Sequence, residues 1–571
     1  MNCRLSLIGA TAGLLTTIAF GLMPAAASPC TNLSFLRLKD TTITSATDWP
    51  KGTFPIPNSN PQTTVPTAFC RVTATLTPTS DSTVHIEVWL PEAWNGRFLG
   101  TGGGGFGGVF NYVELSGGVG SGFATVNSDL GTFSSGCNPN YCGTAGNMGN
   151  QLAEESGAPA NPTTGLYGHP ERIKDFGYRA IHLMTLRGKE IAKAFYQKKA
   201  QTAYFFGCSE GGRNGLMEAQ RFPEDYNGII AGDAAFNRTH LHMGGVDLWQ
   251  VTHATPGNFI LPGQMTLINK AVLAQCVGQD GGVTTDQFLT DPRDCRFDPK
   301  ALQCTSANLP PTCLTPGQVA TMRNYYAGLF DPVTGELIYP GYERGNETDD
   351  ISQGGLAYQE RLPEPFYDGV FYWVFGSNFG IPSSPINYTN FDFHNDVDKV
   401  DDVLAEPLNA VSTDLSKFRE RGGKLIMYHG WADTVIPSQS SINYFNALVR
   451  HDSHDEDGIE QVRFEPNGDY KLRKTQEYAR LFMVPGMYHC SGGPGPNLPE
   501  VDTLMALVNW VETGVAPEII IATNGVMSRP LCVFPKVAKY KGSGNSNDAI
   551  NFICVTDEPD FNQTPTPQYG P

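Results

Sequence analysis

Hydrophobic and polar positions along the chain predict strands that are separated by helices. Polar and apolar residues alternate through residues 82–91, which is typical of a half-buried strand, and residues 123–127 resemble a second, shorter strand. Apolar residues recur at helical spacing through residues 176–197 and predict an amphipathic helix. A buried strand is then predicted over residues 202–207.

The same rhythm continues with a helix that begins near Gly212 and with a strand over residues 228–232. Strands separated by helices favour parallel β-α-β winding, and so an α/β fold. The rhythm returns in the last third of the chain. The later elements are a strand over residues 424–430, a helix over residues 440–449, a strand over residues 479–485, and a helix over residues 501–513 capped by Gly514.

Between these two stretches, residues 237–395 lack the alternation of strand and helix patterns. This segment is rich in Pro, Gly and aromatic residues and holds four cysteines. A flexible linker would not be this aromatic, so we expect a large inserted lid domain. Residues 28–236 and 396–571 would then be the two parts of one α/β domain.

The first 27 residues have the pattern of a secretory signal peptide. Arg4 precedes an apolar stretch over residues 5–23, and small residues then lead to an A-x-A cleavage site that ends at Ala27. A membrane anchor is the alternative. No later window offers about 18 uninterrupted apolar residues, so we expect a soluble, secreted protein that is extracellular or periplasmic.

Composition and charge narrow the classes of partner. With 571 residues, 40% of them hydrophobic, the chain can bury a large core. Its formal net charge is -18, and no block of Lys and Arg stands out. Because nucleic-acid affinity depends largely on clustered Lys and Arg, we expect no nucleic-acid partner. The lack of a later long apolar window leads us to expect no membrane partner either.

The cysteine content fits an oxidising compartment. Of 13 cysteines, Cys3 lies in the signal peptide, and the remaining 12 are an even number that favours disulfides. The sequence alone does not fix their pairing. Structural zinc competes with disulfides, but there is no CxxC pair, and His and Cys are adjacent only at His489 and Cys490. Local bridges are easiest for the pairs that are close in sequence: Cys137/Cys142, Cys304/Cys313 and Cys532/Cys554.

Residues 207–211, Gly-Cys-Ser-Glu-Gly, fit the G-x-S-x-G pattern of a nucleophile elbow. The pattern alone is weak, and a serine in a surface turn is the alternative. Its context strengthens it, because it directly follows an apolar strand and precedes a helix. That arrangement exposes Ser209 in a strained turn, where a base can reach its hydroxyl.

A nucleophile elbow requires an acid and a histidine later in the chain. Asp433 and His489 each follow a buried strand, and the loops after parallel strands meet at one edge of a sheet. We expect Ser209 to attack the substrate, His489 to take its proton, and Asp433 to hold the imidazole tautomer. Asp502 is the carboxylate to test if Asp433 is the wrong acid.

Other histidines are expected to have structural roles or to line a pocket. His182 falls in a predicted helix and is expected to pack in the core, and His429 ends a strand and is expected to be structural. His240 and His242 lie at the boundary of the insert and could line a pocket.

Two cysteines flank the candidate nucleophile and base. Cys208 precedes Ser209, and Cys490 follows His489. If Ser209 and His489 are within hydrogen-bond reach, their neighbours can come within the ~4.4 to 6.8 Å between Cα atoms that a disulfide requires. Such a bridge would hold base and nucleophile in register.

The Cys-Ser pair, a later Asp and a His-Cys pair resemble the CS-D-HC arrangement of the tannase and feruloyl esterase family. These are secreted, disulfide-rich α/β-hydrolases of fungi and bacteria, and the resemblance extends from about Cys30 to Cys554. It implies that Cys208 is bridged to Cys490 and that the insert is a lid over the active site. It also implies the pairs Cys30/Cys70, Cys276/Cys295, Cys304/Cys313 and Cys532/Cys554, with Cys137/Cys142 as an additional bridge.

Ester chemistry needs donors for the oxyanion of the tetrahedral intermediate. The N–H of Glu210 is one candidate, and Gly103 or Gly104 of the glycine run is expected to supply the second, because a residue without Cβ allows close approach. A flexible surface loop is the alternative. A phosphate-binding loop is disfavoured, since no Gly-Lys-Ser/Thr follows.

In the family that this sequence resembles, the lid commonly holds calcium in an Asp-rich loop just after the first lid cysteine. Val277 occupies that starting position here, and the loop over residues 280–286 is longer than usual. Calcium takes six to eight oxygen ligands, and losing one carboxylate weakens a site without necessarily abolishing it. Asp280 and Asp286 are the remaining candidate ligands for a structural calcium, and no cofactor is expected for catalysis.

These features predict a secreted serine carboxylic ester hydrolase. The resemblance implies a small aromatic ester or a plant-polymer-linked phenolic ester as substrate, with a hydroxycinnamoyl group such as feruloyl or caffeoyl. A tannase acting on galloyl esters and a hydrolase of a terephthalate monoester are alternatives. A catalytically silent binding protein is the alternative outside enzymes, but it has no need for the complete triad and its flanking cysteines. Aromatic residues around Trp373 fit either stacking on a phenolic ring or an ordinary lid core.

Overall fold

The computed structural model describes residues 29–56, 62–105, 107–108, 110–132, 170–348, 356, 386, 388–453 and 472–556. The predictions for the signal peptide, for Cys137 and Cys142, and for the aromatic residues around Trp373 lie outside these residues.

Strands are numbered in chain order among the described residues. They are β1 (Thr41–Trp49), β2 (Gly52–Phe54), β3 (Thr63–Val65), β4 (Phe69–Leu76), β5 (Val84–Pro91), β6 (Arg97–Thr101), β7 (Ala124–Ser128), β8 (Thr202–Cys208), β9 (Gly228–Gly232), β10 (Gly328–Phe330), β11 (Leu337–Pro340), β12 (Lys424–Gly430), β13 (Ala479–Val484), β14 (Ile519–Thr523), β15 (Ser528–Cys532), β16 (Lys536–Tyr540) and β17 (Phe552–Thr556).

Helices are numbered in the same way. They are α1 (Tyr112–Gly120), α2 (Pro170–Lys174), α3 (Ala180–Tyr196), α4 (Glu210–Arg221), α5 (Arg238–His253), α6 (Pro262–Cys276), α7 (Pro316–Ala327), α8 (Val397–Leu408), α9 (Ser416–Glu420), α10 (Gln439–Ser453), α11 (Leu472–Gln476) and α12 (Glu500–Thr513). A π-helical turn, Asp175–Arg179, joins α2 to α3.

A nine-stranded mixed sheet forms the centre of the fold, in the order β1-β4-β5-β7-β6-β8-β9-β12-β13. The strands from β7 to β13 in this order run parallel, and the other end of the sheet is antiparallel. These parallel strands confirm the predicted α/β-hydrolase fold class. The antiparallel β1 and β4 are not among the predicted strands. β1 is an edge strand in which only Ala46 is buried, so its sequence has no apolar run.

Both faces of the parallel strands are covered, which explains their nearly continuous apolar sequences. Successive residues of a strand point to opposite faces. Tyr204 of β8 belongs to a core cluster with Leu507 and Trp510 of α12. Its neighbour Phe205 belongs to the main core cluster with Leu216 of α4. The loops that follow β8, β9, β12 and β13 consequently emerge together at one edge of a rigid sheet.

In the segment predicted to be a lid, residues 237–395, the described regular structure is mostly helical. It contains α5, α6 and α7 and a hairpin of β10 with β11. It also has its own apolar cluster, which includes Ile268, Val272 and Met322. Because helices rather than strands predominate here, the sequence lacks the alternation of strand and helix patterns. The domain boundaries stay a prediction.

The sharp turn after β8 depends on the absence of a side chain at Gly207. A Cβ there would lie 2.5 Å from the carbonyl carbon and oxygen of Gly211. We therefore expect Gly207→Ala to reduce the free energy of unfolding by about 1–3 kcal/mol, the usual cost of overpacking. Thermal unfolding followed by circular dichroism would measure this effect as a lower midpoint.

Gly263→Ala in α6 is the matched control, because a Cβ at Gly263 would meet nothing within 4 Å. Alanine is also the better helix former, by roughly 0.5–1 kcal/mol. Equal midpoints for the two variants would contradict the packing argument.

Candidate active site

Ser209 lies between β8 and α4 in a backbone conformation that non-glycine residues rarely adopt, with φ 64° and ψ −120°. Its N–H donates to the carbonyl of Gly232 at 2.9 Å, and its own carbonyl accepts from the N–H groups of Arg213 and Ala235, both at 3.1 Å. These bonds hold a strained turn in place. The strand, turn and helix predicted around the serine are therefore present.

Asp433 follows β12 in a buried turn that satisfies both carboxylate oxygens. Oδ1 accepts from the N–H groups of Val435 at 2.7 Å and Ile436 at 2.9 Å. Oδ2 lies 2.7 Å from Nδ1 of His489 and 3.2 Å from Nε2 of His429. The structure thus brings the predicted acid and the predicted base into direct contact.

The electrostatics of Asp433 favour the charged form. Burial by itself would raise the pKa of its carboxyl, but the imidazoles of His489 and His429 outweigh burial and hold the pKa well below its ordinary value. A carboxylate here accepts the Nδ1–H of His489. That tautomer leaves Nε2 of His489 available to take a proton.

His429 is a residue whose contact with the acid the sequence analysis missed. It is completely buried, its Nε2 lies 3.0 Å from the carbonyl of Ile436, and its Nδ1 lies 2.7 Å from the hydroxyl of Ser441. Burial opposes its charged form, but the carboxylates of Asp233 and Asp433 raise the pKa of His429 above its ordinary value. Its position at the end of the strand that leads to Asp433 was the available signal.

Cys208 and Cys490 form a disulfide with their Cα atoms 5.9 Å apart, across a sequence separation of 282. Ser209 and His489 are the immediate neighbours of these two cysteines. The bridge therefore brings the turn of the candidate nucleophile and the loop of the candidate base together. The other disulfides in the described residues are Cys30–Cys70, Cys276–Cys295, Cys304–Cys313 and Cys532–Cys554.

The two glycines proposed as oxyanion donors differ in availability. The N–H of Gly103 donates to Oδ1 of Asn214 at 3.2 Å, so that donor is already used. A Cβ at Gly104 would meet nothing within 4 Å, which means that this glycine borders open space. Glu210 is the first residue of α4, where a backbone N–H has no partner within the helix. Gly104 therefore stays the candidate second donor beside Glu210, and the oxyanion hole stays a prediction.

The buried carboxylate of Glu210 connects α4 to the glycine run. It pairs with Arg213, accepts from Nδ2 of Asn214 at 2.9 Å, and lies 3.3 Å from Nη1 of Arg238. Asn214 in turn holds Gly103, and Nη2 of Arg238 donates to the carbonyl of Gly105 at 2.9 Å. Asn214 and Arg238 carry no motif, which is why the sequence analysis did not select them.

The remaining candidates lie in other contacts. Nδ1 of His182 lies 2.6 Å from Asp225, and Nε2 of His240 lies 2.7 Å from Asp401. His242 is buried within α5. Asp502 is exposed in the first turn of α12, unlike the buried Asp433.

The loop predicted to hold calcium does not fit such a site as it stands. Asp280 accepts from the N–H groups of Gly278, Gly282 and Thr290, and Asp286 pairs with the guanidinium of Arg529 at 2.8 Å. These donors occupy the oxygens that calcium would need, and a cation already neutralises Asp286. Calcium binding by Asp280 and Asp286 therefore stays a prediction.

A model of the family described as tannase and feruloyl esterase matches residues 70–555. The chain belongs to the tannase and feruloyl esterase family. An uncharacterised esterase of Xanthomonas campestris pv. campestris is 35% identical, over 97% of this chain and 95% of its own. A probable feruloyl esterase B-1 of Aspergillus flavus is 30% identical, over 85% of this chain and 86% of its own.

Solved structures of similar proteins agree with this family. An esterase from Aspergillus oryzae covers 92% of this chain with a TM-score of 0.77 at 27% identity, over 99% of its own length. Feruloyl esterase B from Aspergillus oryzae covers the same shares of both chains with a TM-score of 0.75 at 28% identity. The tannin acyl hydrolase from Aspergillus niger, at 23% identity over 96% of this chain and 97% of its own and a TM-score of 0.69, shares the fold.

As a member of the tannase and feruloyl esterase family, the protein is a carboxylic ester hydrolase. Among the described residues, no helix is both long and apolar enough to span a bilayer.

Replacing both Cys208 and Cys490 with Ala should reduce ester turnover about 100-fold or more, because small misplacements of a nucleophile and its base are costly. The matched control replaces Cys304 and Cys313, whose bridge spans a sequence separation of only 9 within the inserted segment. Turnover per folded molecule on a p-nitrophenyl ester measures both. Equal losses in the two double variants would show that the first bridge has no special role.

Proposed function

We propose that the protein is a secreted serine esterase that cleaves aromatic acyl esters through a covalent acyl-enzyme. The observation that carries the mechanism is the hydrogen bond of 2.7 Å between His489 and Asp433, delivered to the strained turn of Ser209 by the Cys208–Cys490 bridge. A binding protein has no need for this combination, whereas nucleophilic catalysis needs a nucleophile, a base and a group that orients the base.

In the first half-reaction, Oγ of Ser209 attacks the ester carbonyl carbon while Nε2 of His489 takes the hydroxyl proton. The N–H groups of Glu210 and Gly104 stabilise the tetrahedral oxyanion. The carbon–oxygen bond to the alcohol then breaks, and His489 gives its proton to the leaving alcohol. Water repeats the sequence on the acyl-enzyme and releases the acid and free Ser209.

The proposed acyl group is hydroxycinnamoyl, such as feruloyl or caffeoyl, on a small ester or a plant polymer. Support comes from the similar proteins that are named feruloyl esterase B. The inserted segment is proposed to act as the lid. Two of its side chains reach the loop of the acid: the hydroxyl of Tyr342 donates to the carbonyl of Val435, and Nδ2 of Asn346 donates to that of Asp433, both at 3.2 Å.

Secretion is part of the proposal. The five disulfides among the described residues favour an oxidising compartment, in agreement with the predicted signal peptide. The N-terminal sequence of the exported protein tests this point, and we expect cleavage after Ala27.

Purified enzyme should hydrolyse methyl ferulate and chlorogenic acid faster than methyl gallate or a terephthalate monoester. Ser209→Ala should lower turnover of every active ester by about 10⁴-fold or more without a change in thermal unfolding, because the serine supplies chemistry rather than packing. Preference for methyl gallate would replace the hydroxycinnamoyl assignment with a galloyl one. Turnover within tenfold of wild type in Ser209→Ala would refute the serine mechanism.

Asp433→Asn should lose roughly 10³–10⁴ in turnover with the fold retained, since an amide neither favours the correct imidazole tautomer nor stabilises its cation. Asp502→Asn is the matched control, because Asp502 is exposed and lies on α12. The comparison uses kcat for methyl ferulate. A large loss in the Asp502 variant, with normal turnover in the Asp433 variant, would mean that the acid is misassigned.

A further inference from the structure

We propose that Asp233, a completely buried aspartate after β9, is a positioning residue that holds the loops of the nucleophile, acid and base in one arrangement. The inference rests on the proposed serine mechanism and extends it to a residue outside the triad. Its evidence is a set of contacts that converge on one side chain.

Each oxygen of the Asp233 carboxylate accepts from the backbone of a different catalytic loop. Oδ2 accepts from the N–H of Cys490, the residue after His489, at 2.7 Å. Oδ1 accepts from the N–H of Gly430, at the end of the strand that leads to Asp433, at 2.8 Å. One rigid side chain thus connects the backbone of the base to that of the acid.

The same carboxylate also reaches the third loop. Oδ2 of Asp233 lies 3.3 Å from Sγ of Cys208, the residue before Ser209. The backbone on either side of Asp233 also holds Ser209. The carbonyl of Gly232 accepts from the N–H of Ser209, and the N–H of Ala235 donates to the carbonyl of Ser209. All three catalytic loops therefore meet at residues 232–235.

Two unfavourable features of Asp233 are consistent with a functional role. Its side chain is 0% exposed, so its charge has no direct access to solvent, and its φ of 38° lies in a region that most residues avoid. Cys490 has a φ of 63° and is also strained. Strained residues persist only where their surroundings over-determine them. The hydrogen bond from Cys490 to Asp233 supplies that constraint directly beside the base.

The orientation of the base depends on more than the disulfide. The bridge fixes Cys490 through its side chain, but the backbone could still rotate about that anchor. The bond from its N–H to Asp233 removes this rotation and sets the direction in which the chain leaves His489. The covalent link thus brings the loops together, and Asp233 sets their angle.

The test is Asp233→Asn, which keeps the shape and tolerates the positive φ but offers one acceptor oxygen to two N–H donors. We expect kcat on a p-nitrophenyl ester to fall about 10- to 100-fold, with KM within threefold of wild type, because a misdirected base impairs chemistry rather than binding. Peptide mapping without reduction should still find the Cys208–Cys490 bridge.

Asp452→Asn is the matched control, since Asp452 is also a buried carboxylate but accepts from Thr475 and Tyr478 and pairs with Arg419. It should lower thermal stability and leave kcat per folded molecule within threefold of wild type. The proposal is overturned if Asp233→Asn has a normal kcat, or if its kcat falls no further than that of the Asp452 variant. In that case the serine mechanism would still be supported if the wild-type protein is active and Ser209→Ala is not.

A measurement on the unaltered protein keeps the test valid if the variant does not fold. The Cys490 amide should exchange with deuterium at least about 100-fold more slowly than the amide of Gly492, because Cys490 donates to a buried carboxylate whereas Gly492 donates to the side chain of Asn497 at an exposed position. Equal exchange rates for the two amides would contradict the bond on which the inference depends.

Discussion

The disulfide between Cys208 and Cys490 is the covalent constraint on which the site depends, because it joins the loop of the candidate base to the turn of the candidate nucleophile. Ser209 is held by β8 and α4, whereas His489 lies on an irregular, glycine-rich loop between β13 and α12. A loop of this kind samples many backbone conformations unless something fixes it. In the loop-entropy model, a bridge that closes so long a segment contributes up to about 5 kcal/mol. Its greater effect is to place His489 beside a turn from a distant part of the chain.

The second constraint is electrostatic. Asp233, His429, Asp433 and His489 form a cluster in which two carboxylates are fully buried and two imidazoles contact Asp433. Buried charges are costly unless each is paired and hydrogen-bonded. Backbone N–H groups and imidazoles meet this requirement here. The cluster consequently works as a unit, and loss of one partner leaves another charge buried and uncompensated.

A residue of the site could be predicted from the sequence where it belongs to a local sequence pattern. Ser209 stands in a motif with a strand before it and a helix after it, so both its conformation and its surroundings were predictable. Asp233 carries no such pattern, because Gly430 and Cys490 are far along the chain and meet it only in the folded protein. His429 is only four residues before Asp433, but its place at the end of a strand does not by itself reveal that its ring contacts the acid. The choice between Gly103 and Gly104 likewise required the position of Asn214, a side chain from α4. The edge strand β1 was missed because an exposed strand lacks an apolar signature.

Covalent labelling determines whether one activated serine is linked through a disulfide to the loop of its base. Diethyl p-nitrophenyl phosphate phosphorylates an activated serine and releases one p-nitrophenolate for each site that reacts. We predict one equivalent of p-nitrophenolate per chain, with the phosphoryl group on Ser209 in a peptide disulfide-linked to the peptide that carries His489. Label on another residue would show that Ser209 is not the nucleophile, and free Cys208 and Cys490 thiols in enzyme that labels fully would show that the bridge is not needed to activate it.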